Sequence, residues 1–120
     1  GWAADRVGRV PIMIGSLPMA DKDDFCARPG RFGAHNIHEN DPVDTSFKSD
    51  TLVFGSYFNS GVRVHDTTNA LEPKEIAYYV PPIPEGGDFV AINDIYVDEN
   101  RIIYAIDRVK GGLYILELTI

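Results

Sequence analysis

The chain holds one cysteine, one tryptophan and two methionines among its 120 residues, and these scarcities narrow its class. With Cys26 alone there is no internal disulfide framework and no zinc site built from several thiolates. The acidic setting of that cysteine, in DDFC, argues against a reactive thiolate. Cations are outnumbered as well, 11 Lys and Arg against 18 Asp and Glu, for a formal net charge of −7. They are spread singly rather than in a stripe. Tracking a phosphate backbone needs clustered cations, so nucleic acid is excluded as a partner. No apolar run reaches the roughly 18 residues of a membrane-spanning helix. Nor do apolar residues recur at helical spacing over a dozen positions, so no long helix is expected. The G-x-S-x-G elbow, HExxH, the P-loop, GxGxxG and EF-hand spacing are all missing.

What the chain does have is short stretches rich in β-branched and aromatic residues, bounded by Gly, Pro, Asn and Asp. They are DTLVFGSYFNS (50–60), GVRVHD (61–66), EIAYYVPP (75–82), NDIYVDE (93–99), RIIYAIDR (101–108) and GLYILEL (112–118). That pattern predicts an all-β chain. Alternation places Val53, Gly55 and Tyr57 on one face of the first strand and Leu52, Phe54 and Phe58 on the other.

The strands also repeat. Laying TLVFGSYFNSGVRVHD over RIIYAIDRVKGGLYILE puts Leu52, Val53 and Phe54 on Ile102, Ile103 and Tyr104. One inserted residue later, Gly61, Val62 and Val64 fall on Gly112, Leu113 and Ile115. HNIHEN falls on NDIYVDEN, with Ile37 on Ile95, and PIMIGSLP resembles PKEIAYYVPP, with Ile14 on Ile76. A unit of about 50 residues carrying four strands is the signature of a β-propeller blade. The expected organisation is an outer strand at 11–18, a full four-stranded antiparallel blade at 33–82 and three strands of the next blade at 92–118. Two blades cannot close a ring, and alone they would expose apolar faces. The expected partners are therefore the remaining blades, from a longer chain that this segment belongs to or from other copies. Gly61 and Gly112 are expected at positive φ in tight hairpins, and Asp66, Thr68 and Asn69 in a turn held by their own side chains.

SGVRVHDTTNALEPKEIAYYVPP and KGGLYILEL resemble the LVIVD-repeat β-propeller proteins. Gly61, Val62, Val64, Asp66, Thr68, Asn69, Pro73, Ile76, Ala77 and Tyr79 occupy the places of that family's pattern, with Ala70 where its first proline is usual. GRFGAHNIHEN is also similar to an element seen before a blade in bacterial members. The resemblance implies a larger bacterial propeller, periplasmic or extracellular, and assigns no definite activity.

The candidate site residues are His35 and His38 in HNIH. On a regular strand, residues three apart point to opposite faces, so the pair would not chelate by itself. One expectation is that both imidazoles brace loops at a channel mouth by hydrogen bonding. The other is a divalent or transition metal ion held by His35 and His38 with residues of further blades, Glu39 and Asp94 serving as orienting groups around it. Three functions follow from the sequence: a binding or scaffold module taking a small molecule or protein at the channel mouth, a metal-dependent propeller enzyme, or a lectin-like oligomeric ring. The acidic stretch 39–44 and the long insertion 40–50 are expected to be loops, the latter suited to recognition. Core packing is expected to claim Tyr57, Phe58, Tyr78 and Tyr79.

Overall fold

The computed structural model describes residues 24–120. The outer strand expected at 11–18 lies outside them. Among the described residues the chain is all-β, without a helix, in two three-stranded antiparallel sheets. The first is β1 (Leu52–Ser56), β2 (Val62–Asp66) and β3 (Lys74–Tyr79), in that order. The second is β4 (Ile92–Val97), β5 (Ile102–Asp107) and β6 (Gly112–Glu117).

Four strands were expected in the first sheet. Residues 35–38 do lie along the free edge of β1, through His35 N–H to Ser56 O, Ser56 N–H to Asn36 O and His38 N–H to Phe54 O. They make only an isolated bridge, Ile37 to Gly55, rather than a strand. The local cause is side-chain competition: the Asn36 N–H is taken by Ser56 Oγ at 3.1 Å, and both imidazoles reach across to the second sheet.

The pairing register reproduces the repeat residue for residue. Leu52, Phe54 and Ser56 oppose Asp66, Val64 and Val62, as Ile102, Tyr104 and Ile106 oppose Glu117, Ile115 and Leu113. Ile37 opposite Gly55 likewise matches Ile95 opposite Ala105.

The core lies between the sheets. Leu52, Phe54, Val62, Val64 and Ala77 of the first meet Ile95, Val97, Ile103, Ala105 and Leu116 of the second. Tyr57 gathers a smaller cluster with Ala34, Ile37 and Val53 on the opposite face of the first sheet. Phe58 leaves the alternation because its backbone turns to φ 49°; its ring is buried and its backbone exchanges two hydrogen bonds with Ile92. Tyr57 and Phe58 are thus core residues, whereas Tyr78 and Tyr79 are exposed, against the expectation for those two.

The turns follow local chemistry. Gly61 and Gly112 have φ of 79° and 74°. Asp66 Oδ1 accepts from Thr68 N–H, and Asn69 Oδ1 from Leu71 N–H. Asp107 is buried and accepts from Ala91, Val109 and Lys110 N–H, tying the β5–β6 hairpin to the entry of β4.

Candidate functional site

Antiparallel order sends the β1–β2 hairpin (57–61), the β5–β6 hairpin (108–111) and the long connection from β3 to β4 (80–91) to one end of the sheets. His35 sits at that end. Its Nδ1–H donates to Asn93 O at 2.8 Å, and its ring leans on Phe58 with centroids 4.5 Å apart. A carbonyl can only accept, so the bond assigns the proton to Nδ1. The ring is otherwise exposed.

His38 is held more completely. Its Nε2–H donates to Phe47 O at 2.8 Å, while Nδ1 accepts from Val97 N–H at 3.1 Å. The ring also packs edge-on against Phe54 and Tyr96. With both nitrogens committed, His38 has no lone pair left for a metal in this conformation. It joins three segments, its own, the 45–47 stretch and β4. Asn36 Nδ2–H donates to Asp94 Oδ1 at 3.3 Å, an oxygen that also accepts from Ile95 N–H. Glu39 is exposed. Among the described residues, no group of three or more His, Cys, Asp or Glu is placed to hold a metal ion. The structure therefore brings His35, Asn36 and Asp94 to one seam between the sheets, without gathering His35, His38, Glu39 and Asp94 around a common point.

His38→Leu, which keeps apolar volume while removing both ring nitrogens, is expected to cost about 2–3 kcal/mol, since it strands a carbonyl and an amide. His35→Ala, at an exposed ring, is expected to cost about 1 kcal/mol or less. Urea midpoints of the two variants check this; equal losses would show that His38 does not brace.

The insertion 40–50 behaves differently from a free recognition loop. Phe47 N–H donates to Val97 O, and Glu99 N–H to Thr45 O, giving a bridge between Ser46 and Asp98. Ser46 is buried and Phe47 packs on the core. The segment clamps the far end of β4.

Among the described residues, the most charged buried place was not marked in the sequence. Arg63 is fully buried on the face of β2 away from the second sheet. Its Nη1 lies 3.0 Å from Glu75 Oε1, and its Nε–H donates to Ser60 O. Phe25 and Tyr78 present rings to the guanidinium at 5.2 and 4.9 Å. His65 is also fully buried on this face. The available signal was the alternation Val62-Arg63-Val64, which sets the cation opposite two core valines.

Beside this cluster, burial, reinforced by Glu75 and opposed by Arg63, pushes the Tyr57 phenol up to about 12. The folded state then holds that proton more tightly than the unfolded chain does. Its stabilising contribution is full below pH 10 and is lost as pH rises from 10 towards 12. Tyr57→Phe is expected to flatten that alkaline decline in urea midpoints; an unchanged slope would assign it to other groups.

At the hairpin end a cleft of about 190 Å³ opens between Arg28, Asn59, Pro81, Ile83, Asp88 and Phe89. Its walls are mostly apolar, with Arg28 and Asp88 supplying the charge. At about 190 Å³ it is smaller than the clefts that usually enclose a drug-sized ligand. Among the described residues no helix is long and apolar enough to cross a membrane. Compared with protein-family models, curated proteins and solved structures, the chain matches none.

Proposed function

We propose that the chain is a segment of an LVIVD-type β-propeller and works as a binding and scaffold module through the loops gathered at its hairpin end. The remaining blades come from the same protein or from other chains, and the site of action is periplasmic or extracellular. The observation that carries this reading is the repeated register, with residues 35–38, β1 and β2 matched in order by β4, β5 and β6. Equivalent sheets stacked face to face are how a propeller is built. The hairpin end supports the binding half: two hairpins, the 80–91 connection and an apolar cleft meet there, on strands that fix their positions.

Native mass and small-angle scattering on the protein with its natural flanking sequence test the reading. A disc with a hollow axis, made of four or more such sheets by the general size of propellers, is expected. An elongated particle, or a compact one holding only these two sheets, would remove the propeller assignment.

A further inference from the structure

Asn59, in the β1–β2 hairpin, is 4% exposed and lines the apolar cleft at that end. Its backbone and its side chain are both tied to the segment 25–31. The backbone N–H donates to Arg31 O at 3.0 Å, and Nδ2 donates to Phe25 O at 2.9 Å and to Pro29 O at 3.3 Å. Carbonyls only accept, so these two fix which end of the carboxamide is nitrogen. The other end, Oδ1, is buried and has no hydrogen-bond partner among the described residues. Buried acceptors are nearly always paired, so a donor brought to this one is stabilising.

The walls of the cleft are set before anything enters it. The rings of Pro29 and Pro81 hold their own φ. Phe89 lies against the backbone of Gly30, which has φ 92° and where a β-carbon would stand 2.8 Å from Phe89 Cδ2. Ile83 adds an apolar wall that is 58% exposed. Arg28 and Asp88 are both exposed, and their opposite charges offset each other. Size is the remaining constraint. An apolar cavity of roughly 150 Å³ is enough for a benzene ring. At about 190 Å³ this cleft takes one ring with a small substituent.

We infer that the cleft takes a single-ring apolar molecule bearing one O–H or N–H donor, a phenol in the simplest case, with the donor on Asn59 Oδ1. The inference rests on the binding-module reading of the hairpin end and names the ligand class of that site. The chemistry selects against the alternatives. A carboxylate or phosphate brings acceptors to a carboxamide oxygen that cannot donate. A plain hydrocarbon fills the walls and leaves Oδ1 as it was. A site organised around a buried polar atom discriminates strongly against the analogue that lacks the matching group.

Phenol, toluene and anisole test this, because they share the ring and only phenol carries a donor. Each is titrated into the protein with its natural flanking sequence, and the methyl shifts of Val80, Ile83 and Val90 are followed. Phenol is expected to bind there about tenfold or more tightly than either of the others. Ile83→Asp, at a side chain already more than half exposed, is expected to weaken phenol by about tenfold while leaving the urea midpoint near parental. Equal affinities for phenol and toluene would overturn the inference, by showing that water already serves Oδ1 or that no donor reaches it. Anisole binding as well as phenol would also overturn it, since the oxygen and not its proton would then be recognised. So would shifts confined to residues outside the cleft. Particle shape separates this from the propeller reading. A hollow disc that ignores phenol would remove the ligand class alone, and an elongated particle that binds it would remove the propeller alone.

Discussion

Arg63→Ala is expected to cost about 3–5 kcal/mol, a large part of the 5–15 kcal/mol that holds a typical domain folded. The side chains of Arg63 and Glu75 are 0% and 2% exposed, so removing the guanidinium leaves a carboxylate in a site that water barely reaches. The lost bond to Ser60 O and the lost ring contacts with Phe25 and Tyr78 add to the loss. Glu75→Ala is expected to cost a similar amount for the mirror reason. Replacing both together, Arg63→Met with Glu75→Leu, is expected to be far milder than the sum, because apolar volume then fills the space and neither charge is stranded. Urea unfolding of the two single variants and the double closes the cycle. If Arg63→Ala costs less than about 1 kcal/mol, the pair is in contact with solvent after all.

Gly61→Ala is the second large effect, at about 3–5 kcal/mol. A β-carbon there would stand 2.1 Å from Tyr79 O and 2.9 Å from Val80 Cα, and the residue's φ is 79°. Both obstacles are backbone, so no side chain can swing aside. The strand β3 must shift from β2 where Val62 faces Tyr79. Gly112 is the internal control. It holds the equivalent hairpin position with φ 74°, yet a β-carbon would meet nothing within 4 Å. Gly112→Ala is therefore expected to cost only the left-handed backbone term, about 1–2 kcal/mol. A ratio near one between the two losses would mean that close approach plays no part at Gly61.

How far the sequence could be read follows from what each feature depends on. The six strands and the register between units were legible because alternation, hairpin glycines and the repeated spacing are local. Positive φ at Gly61 and Gly112 and the Asp66 and Asn69 turns were legible for the same reason. The missing regularity at 35–38 was not. It depends on Ser56 Oγ, 20 residues from Asn36, and on His35 and His38 reaching Asn93 and Val97, 58 and 59 residues away. The histidines were found as a pair, but their partners are backbone groups, and a backbone carbonyl leaves no mark in a sequence. Arg63 was passed over because one cation in an acidic chain reads as surface until its partner on β3 is placed beside it. The clamp by 45–47 was hidden in the same way: the stretch follows an acidic loop, and its bonds to Val97 and Glu99 are backbone bonds, joined by a single hydroxyl contact from Thr45 to Tyr96.

Strand β4 is fastened at both ends. Phe58 and Ile92 exchange two backbone bonds at one end, and Thr45 and Phe47 bond to Glu99 and Val97 at the other. Sliding β4 along its axis would break all four of these backbone bonds together. If the hairpin end takes a ligand as proposed, the start of β4 beneath it is already held by the Phe58–Ile92 bonds, and no entropy is lost in ordering that strand.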